Sequence, residues 1–527
     1  MFSKCLSGTT QGITAYTVEI ETHVEGNVPN FIMVGLPDSA VKESKERVIA
    51  AMKNSAIQFE FSKRITVNLA PADIRKEGSA FDLPIALGLL ATTGSVEAQR
   101  LNQFMLLGEL ALDGTLRPIH GALNIALHVR KLKETFPELK GMILPDENAK
   151  EAALVSEIDV YAAKTLREAV ELLNGTSQKT KVEVDIQSLF SEDVYEMQHL
   201  DFAEVKGQEA VKRALEVAAA GGHNLIMVGS PGSGKSMLAK RFPSILPPLE
   251  FDEALETTKI HSVAGILPPG VPLVTMRPFR SPHHTISDAA LVGGGMRNIR
   301  PGEISLSHNG VLFLDELPEF QRNVLEVLRQ PLEDGCVTIS RTAMTVDYPA
   351  NFMLICAMNP CPCGNFGSTV HSCTCTEQTI QRYMSKISGP LLDRIDIHVE
   401  VPSVKIEELS KKSSGERSSA IRERVLRARE KQRERYRSLN GKSTGPRVYK
   451  NADLSSKLVQ EYCEIMEDSK QIMKMAMTRM GLSARAYDRI LKVSRTIADL
   501  AGAESITTAH VSEAIQYRTL DRQFWNG

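Results

Sequence analysis

A glycine-rich run at residues 229–236 constrains this chain more than any other feature. Gly229, Ser230, Pro231, Gly232, Ser233, Gly234, Lys235 and Ser236 fit the pattern G-x-x-x-x-G-K-[ST] and directly follow an apolar run, Leu225 to Val228. Glycines at these spacings let the backbone wrap a phosphate chain with its N–H groups inward, at the start of a helix whose dipole favours anions. A second apolar run, Val311 to Leu314, ends in Asp315-Glu316, and a third, Phe352 to Met358, delivers Asn359. An isolated glycine turn and an unrelated surface acidic pair would not share this arrangement. The pattern predicts a parallel sheet with a nucleotide at the carboxyl ends of its strands.

The chemistry follows from residue type. Lys235 is expected to neutralise the β- and γ-phosphates of a nucleoside triphosphate, and the Ser236 hydroxyl to hold Mg²⁺ with help from Asp315. Glu316 is the candidate general base for the attacking water, and Asn359 would position that water.

At 527 residues the chain exceeds a single core and predicts two to four domains. A net charge of −2 excludes a globally basic nucleic-acid binder, so any such contact must be local. No apolar stretch reaches the ~18 residues of a membrane helix, and Met1 to Glu21 lacks a secretory apolar core. No membrane partner and a cytoplasmic location are therefore expected. The expected divisions are an α/β unit at 1–172, a linker at 173–200, a core at 201–402, a basic helix and loop at 403–447, and a helical part at 448–527. Within the first, Ala15–Glu21 and Ile65–Leu69 alternate as strands, and Asp38–Met52 and Asp82–Leu90 read as helices.

Three further segments carry chemistry. Cys361, Cys363, Cys373 and Cys375 lie in fifteen residues directly after Asn359. Two such pairs could close a tetrahedral thiolate site for structural Zn²⁺, with His371 as a substitute ligand; reduced thiols in a surface loop are the alternative. Gly335 to Pro349 alternates about a polar centre and reads as a hairpin. Arg417 to Arg437 holds nine basic residues against three glutamates, which suits either a phosphate-binding surface or a solvated connector.

Glu316 and Asn359 on separate strands resemble the AAA+ division of P-loop ATPases. Gly389-Pro-Leu-Leu-Asp-Arg394-Ile-Asp396 is similar to the arginine-finger segment of the branch holding magnesium chelatases and MCM helicases. The resemblance implies that Arg394 reaches the γ-phosphate of a neighbouring subunit, within a homo-oligomeric ring, usually a hexamer. Gly481-Leu-Ser-Ala-Arg485-Ala-Tyr resembles the segment opening the helical lid, with Arg485 on the γ-phosphate of its own chain. Salt-bridged surface arginines are the alternative at both positions, and Arg489 rivals Arg485.

Val34-Gly-Leu-Pro-Asp38, Ala70 to Pro84 and Gly108 to Pro118 resemble the first domain of the ComM/YifB family of magnesium-chelatase-like proteins. The implied architecture is an amino-terminal Lon-protease-like (ribosomal S5 domain 2-like) α+β domain, a central AAA+ parallel-sheet core and a carboxy-terminal helical lid. The Lon likeness raises a serine peptidase with Ser79 as nucleophile, but Ile125 stands where its lysine partner would be expected. In the helicase relatives the hairpin lines a central pore, which implies Arg341 at its tip among DNA phosphates. Arg280 to Gly295 is similar to the family's second pore-facing insertion. Two activities are implied: a DNA motor on single-stranded or branched DNA, of the kind used for branch migration in natural transformation, or a chelatase-like ATPase that remodels a protein partner.

Overall fold

The computed structural model describes every residue except 27, 74, 75, 77, 191–199, 269, 296–298, 342–343, 368–370, 404–414, 441–447 and 521–527. The loop expected at Gly441–Pro446, Glu77 beside Ser79 and part of the linker lie outside the described residues.

Alternating residues build the first sheet. Strands β1 (Phe2–Gln11) and β2 (Thr14–Glu25) form an antiparallel pair, with Val18, Ile20 and Val24 turned into the core. Strand β3 (Asn30–Val34) is an edge. Helix α1 (Ser39–Asn54) follows, its first turn held by the Asp38 carboxylate, which accepts from the Val41 N–H at 2.8 Å. Strand β4 (Arg64–Ala70) runs between β3 and β2. Helix α2 (Asp82–Thr92) is buried almost throughout. Burial pushes the Asp82 carboxyl up, against the pull of the Arg47 guanidinium 2.6 Å away. Strand β5 (Phe104–Leu106), helix α3 (Ala122–Lys133) and strands β6 (Gly141–Pro145) and β7 (Asp159–Ala163) complete a mixed sheet of order β3-β4-β2-β1-β5-β6-β7.

The expected linker is not free chain. The Val182 N–H donates to the Val160 carbonyl at 2.8 Å, and Val182, Val184 and Ile186 pack on the apolar cluster under α3. Val182, Val184 and Ile186 alternate with Glu183 and Asp185, the period of a half-buried strand, so the docked segment carries a short signature that the polarity of its surroundings masks.

The second half begins with helix α4 (Glu209–Gly221), strand β8 (Leu225–Val228), helix α5 (Lys235–Arg241) and helix α6 (Phe251–Ala264). Strands β9 (Phe279–Arg280) and β10 (Val311–Leu314), hairpin strands β11 (Cys336–Arg341) and β12 (Met344–Pro349), and strands β13 (Met353–Met358) and β14 (Ile397–Glu400) follow. The core sheet has the order β9-β10-β13-β8-β14 and every pairing is parallel. Strands β8, β10 and β13 are buried at every position, which is why they read as unbroken apolar runs. In the hairpin Arg341 pairs with Met344, which puts it at the turn.

Two helices dominate the carboxy-terminal part, α7 (Ser418–Asn440) and α8 (Ala484–Leu500). The basic charge of α7 is largely consumed inside the chain. Arg424 binds Glu416 at 2.5 Å and also Glu216, Arg435 binds Asp499, and Arg427 pairs with Glu423 at 3.1 Å. Arg429 donates to the Ala219 carbonyl at 2.9 Å, and burial pushes its guanidinium down to about 10. The connector reading fits this helix.

The two halves share surfaces. Leu249, Ala254 and Leu273 join the apolar cluster around α3. Ser262 of α6 donates to the buried Glu151 carboxylate, whose same oxygen accepts the Leu123 N–H at 2.9 Å. Gly12, at the β1–β2 turn, lies against Val346 and Tyr348 of the hairpin, and Ile13 packs in the core cluster beside them.

Candidate active site

The loop from β8 to α5 turns through Gly232 at φ 76° and Gly234 at φ 93°, a left-handed backbone that glycine adopts without penalty. The turn delivers Lys235 and Ser236 to the first turn of α5. Lys235 Nζ donates to the Gly229 carbonyl at 2.6 Å, the Ser230 carbonyl at 3.0 Å and Asn359 Oδ1 at 3.1 Å. Ser236 Oγ donates to Asp315 Oδ2 at 2.5 Å, and the Asp315 Oδ1 accepts the Glu316 N–H at 2.9 Å. Burial pushes the Lys235 ammonium below its ordinary value, against the pull of the Asp315 and Glu316 carboxylates. Lys235, Ser236, Asp315, Glu316 and Asn359 thus share one site at the carboxyl edge of the sheet.

This donor set fits a nucleotide and its divalent cation. A serine hydroxyl and a carboxylate oxygen in contact are hard oxygen ligands of the kind Mg²⁺ takes. A lysine at a helix start, after a glycine loop, suits a phosphate chain.

Three contacts at the site had no sequence signal. Gln208, at φ 59°, donates to the Ser233 carbonyl at 2.6 Å and the Pro402 carbonyl at 3.2 Å, tying the loop to the end of the core sheet. The His284 ring lies 3.1 Å from Glu316 Oε2. Gly364 presses on Pro231, where an added Cβ would meet Pro231 Cδ at 2.4 Å. Each joins residues far apart in the chain, so no local pattern could have announced it.

The four cysteines converge. Sγ of Cys361, Cys363, Cys373 and Cys375 all lie within 4.8 Å of one another, with Cys361 to Cys363 at 3.3 Å and Cys361 to Cys373 at 3.7 Å. A tetrahedral site with metal–sulfur bonds of about 2.3 Å has edges of about 3.8 Å, so the cluster could hold a metal with four protein ligands. Backbone N–H groups of Asn365 and Thr374 hold the Cys363 thiol down to about 5, while burial and the neighbouring sulfurs push Cys373 and Cys375 up. With four sulfurs in place, His371 is not required as a ligand.

The arginines sit elsewhere. Arg394 is only 5% exposed; it donates to the Pro390 carbonyl at 2.6 Å and pairs with Glu333. Its Nε is buried without a hydrogen-bond partner, and the side chain lines a cavity of about 610 Å³ with Glu326, Arg329 and Glu333. The Glu333 carboxyl is held below its ordinary range by Arg394 first and also by Arg485 and Arg329. Arg485 is exposed in the first turn of α8, on the side of this cluster. Arg489 is engaged with Asp396, which also faces His223 Nδ1 at 3.3 Å, so it is committed to a buried network. Arg341 is exposed, its guanidinium against Gly294 of the 280–295 segment.

In the first domain Ser79 meets a carboxylate, where the peptidase reading needs a lysine. Ser79 donates to Glu109, Ile125 is buried against Gly8, and Lys76 donates to the Pro71 carbonyl.

Known proteins give the same picture over the whole chain. Residues 201–409 match the family described as magnesium chelatase, subunit ChlI; residues 20–148 match subunit ChlI of Mg-chelatase, and 415–518 its C-terminal part. The chain is 44% identical to competence protein ComM of Haemophilus influenzae, over 98% of this chain and 97% of that one. It is 41% identical to the protein YifB of Escherichia coli, over 97% of this chain and 96% of that one. Likeness to the magnesium-chelatase 67 kDa subunit of Heliobacterium mobile is 29% over 31% of this chain and 28% of that one.

Proposed function

The chain belongs to the ComM/YifB family of magnesium-chelatase-like AAA+ proteins, and from that premise we propose that it is an ATP-driven, ring-forming DNA motor. The observation that carries the ATPase reading is the meeting of Lys235, Ser236, Asp315, Glu316 and Asn359 at one sheet edge. In this reading Lys235 and the loop amides bind the phosphates, and Ser236 and Asp315 would hold Mg²⁺, which would supply positive charge against the phosphates. Glu316 takes the proton of the attacking water, and Asn359 orients that water.

Arg394 works on the ATP of the next protomer, and Arg485, beside it on Glu333, is the lid's arginine. The amino-terminal sheet is the Lon-like domain, in a binding or ring-organising role. The four cysteines hold structural zinc. DNA, single-stranded or branched, is the substrate track, with Arg341 at the hairpin turn on its phosphates and the protein cytoplasmic. Among the described residues no helix is long and apolar enough to cross a membrane.

The test is the ATPase rate with and without single-stranded and four-way-junction DNA, across salt. The motor reading expects stimulation that fades steeply as salt rises, because phosphate contacts release counterions. A rate indifferent to both DNAs at low salt would discard it in favour of a chelatase-like remodelling of protein.

A further inference from the structure

Arg394 and the phosphate loop stand at opposite edges of the core sheet. Ile397 of β14 pairs with Leu225 at the start of β8, so the turn from Arg394 to Asp396 lies at the amino edge, whereas Lys235 follows the carboxyl edge. A buried carboxylate holds that turn. Asp396 Oδ2 accepts the Asn224 N–H at 3.2 Å and faces His223 Nδ1 at 3.3 Å, and its Oδ1 is bound by the Arg489 guanidinium of α8. Against the push of burial, Arg489 first and then His223 hold the Asp396 carboxyl below its ordinary range, so it is an anion with both oxygens in use. Asn224 ties the backbone as well. Its Nδ2 donates to the Arg394 carbonyl at 2.9 Å, and its Oδ1 accepts the Leu354 N–H of β13 at 2.8 Å.

The other side of this network is the lid helix. His223 Nε2 meets Thr496 Oγ1 at 2.8 Å, seven residues after Arg489 and on the same face of α8. One turn before Arg489 the same helix carries Arg485, and Arg394 and Arg485 both draw on the Glu333 carboxyl. An ion pair and a hydrogen-bonded ring thus join α8 to the turn ahead of β14 as one piece.

We propose that Arg489 is a positioning residue for Arg394: through Asp396 it locks each lid to the turn that bears the arginine, so that the lid of one protomer sets how Arg394 meets the ATP of the next. This role rests on the ring reading of Arg394. Arg489 is engaged at the amino edge, away from its own phosphate loop, so its loss acts on turnover next door and leaves ATP affinity alone.

The experiment is the ATPase rate of full-length variants, alone and in equimolar mixtures, beside equilibrium binding of a fluorescent ATP analogue. R489A alone is expected to lose on the order of 10²-fold in kcat, the cost of displacing a reacting group by about 1 Å, with analogue binding at the native level. R489K, which keeps a cation for Asp396 Oδ1, should return most of the rate. E316Q protomers turn over slowly themselves but carry a held Arg394. Mixed with R394A, they should lend it to competent loops, and the mixture should run well above the sum of the two alone. E316Q mixed with R489A should exceed its sum likewise, because the defect of R489A lies in what it offers its neighbour. If E316Q with R394A gives only the sum, the ring reading falls and this role with it. If that pair exceeds its sum and E316Q with R489A does not, Arg489 serves only its own chain, and the proposal is overturned while the ring stands. Should thermal melts show R489A unfolded, R489M with D396N takes its place in the mixture, since it removes both charges and leaves no lone buried carboxylate.

Discussion

Ser236 and Asp315 touch at 2.5 Å, and Lys235 reaches Asn359 at 3.1 Å, so four side chains from three strand ends meet as one polar group, which the proposed function assigns to phosphate and metal. Their roles separate by substitution. Glu316→Gln keeps the loop, lysine and metal ligands, so ATP should bind with near-native affinity. Turnover should fall by about 10²–10⁴-fold, the usual worth of a positioned general base. Lys235→Ala removes the ammonium that meets the phosphates and should weaken nucleotide binding itself. Equilibrium binding of a fluorescent ATP analogue beside single-turnover hydrolysis distinguishes the two, and native turnover in Glu316→Gln would void its role. These residues were legible in the sequence because phosphate chemistry fixes both their type and their place at a strand end. His284, Gln208 and Glu333 were not, because each meets its partner only after the chain has folded.

At the scale of elements, the cysteine loop and the phosphate loop are in contact through Gly364 and Pro231. Cys373→Ser should lose bound metal and raise the apparent KM for ATP while leaving kcat less affected; purified native protein without zinc would remove the premise. The docking of α6 on α3 carries a second expectation. Burial raises the Glu151 carboxyl above its ordinary 4.5, so its contribution is complete below that value and fades as pH rises through the folded value. Glu151→Gln keeps an oxygen for Leu123 and Ser262 and removes that slope. Thermal melts should show the native protein losing stability relative to the variant as pH rises above 4.5; parallel curves would refute it. Element by element, the sequence marked β8, β10 and β13 almost to the residue, since strands buried on both faces write themselves as apolar runs. It marked α1 and α2 to within two residues at either end. Val182 to Ile186, expected within the linker, are docked instead; their alternation is a strand period, but a single short run in a polar stretch.

For the whole molecule, Arg394 and the glycine loop are separate features of one chain, and the ring reading joins them only between copies. Arg394 faces a cavity of about 610 Å³ and is paired with Glu333, so in the ring reading a partner surface would displace that carboxylate. Arg394→Ala doped into native protein should depress ATPase out of proportion to its share, and in pure form by on the order of 10³-fold. A linear dilution would mean that the arginine serves its own chain; doping Arg485→Ala likewise assigns that residue. Gly12 and Ile13, at the far end of the chain from any nucleotide, bear on the hairpin through Val346 and Tyr348. In the proposed motor, a tug on whatever passes Arg341 would therefore reach the amino-terminal sheet as a torque, making that sheet part of the gearing and not a passenger.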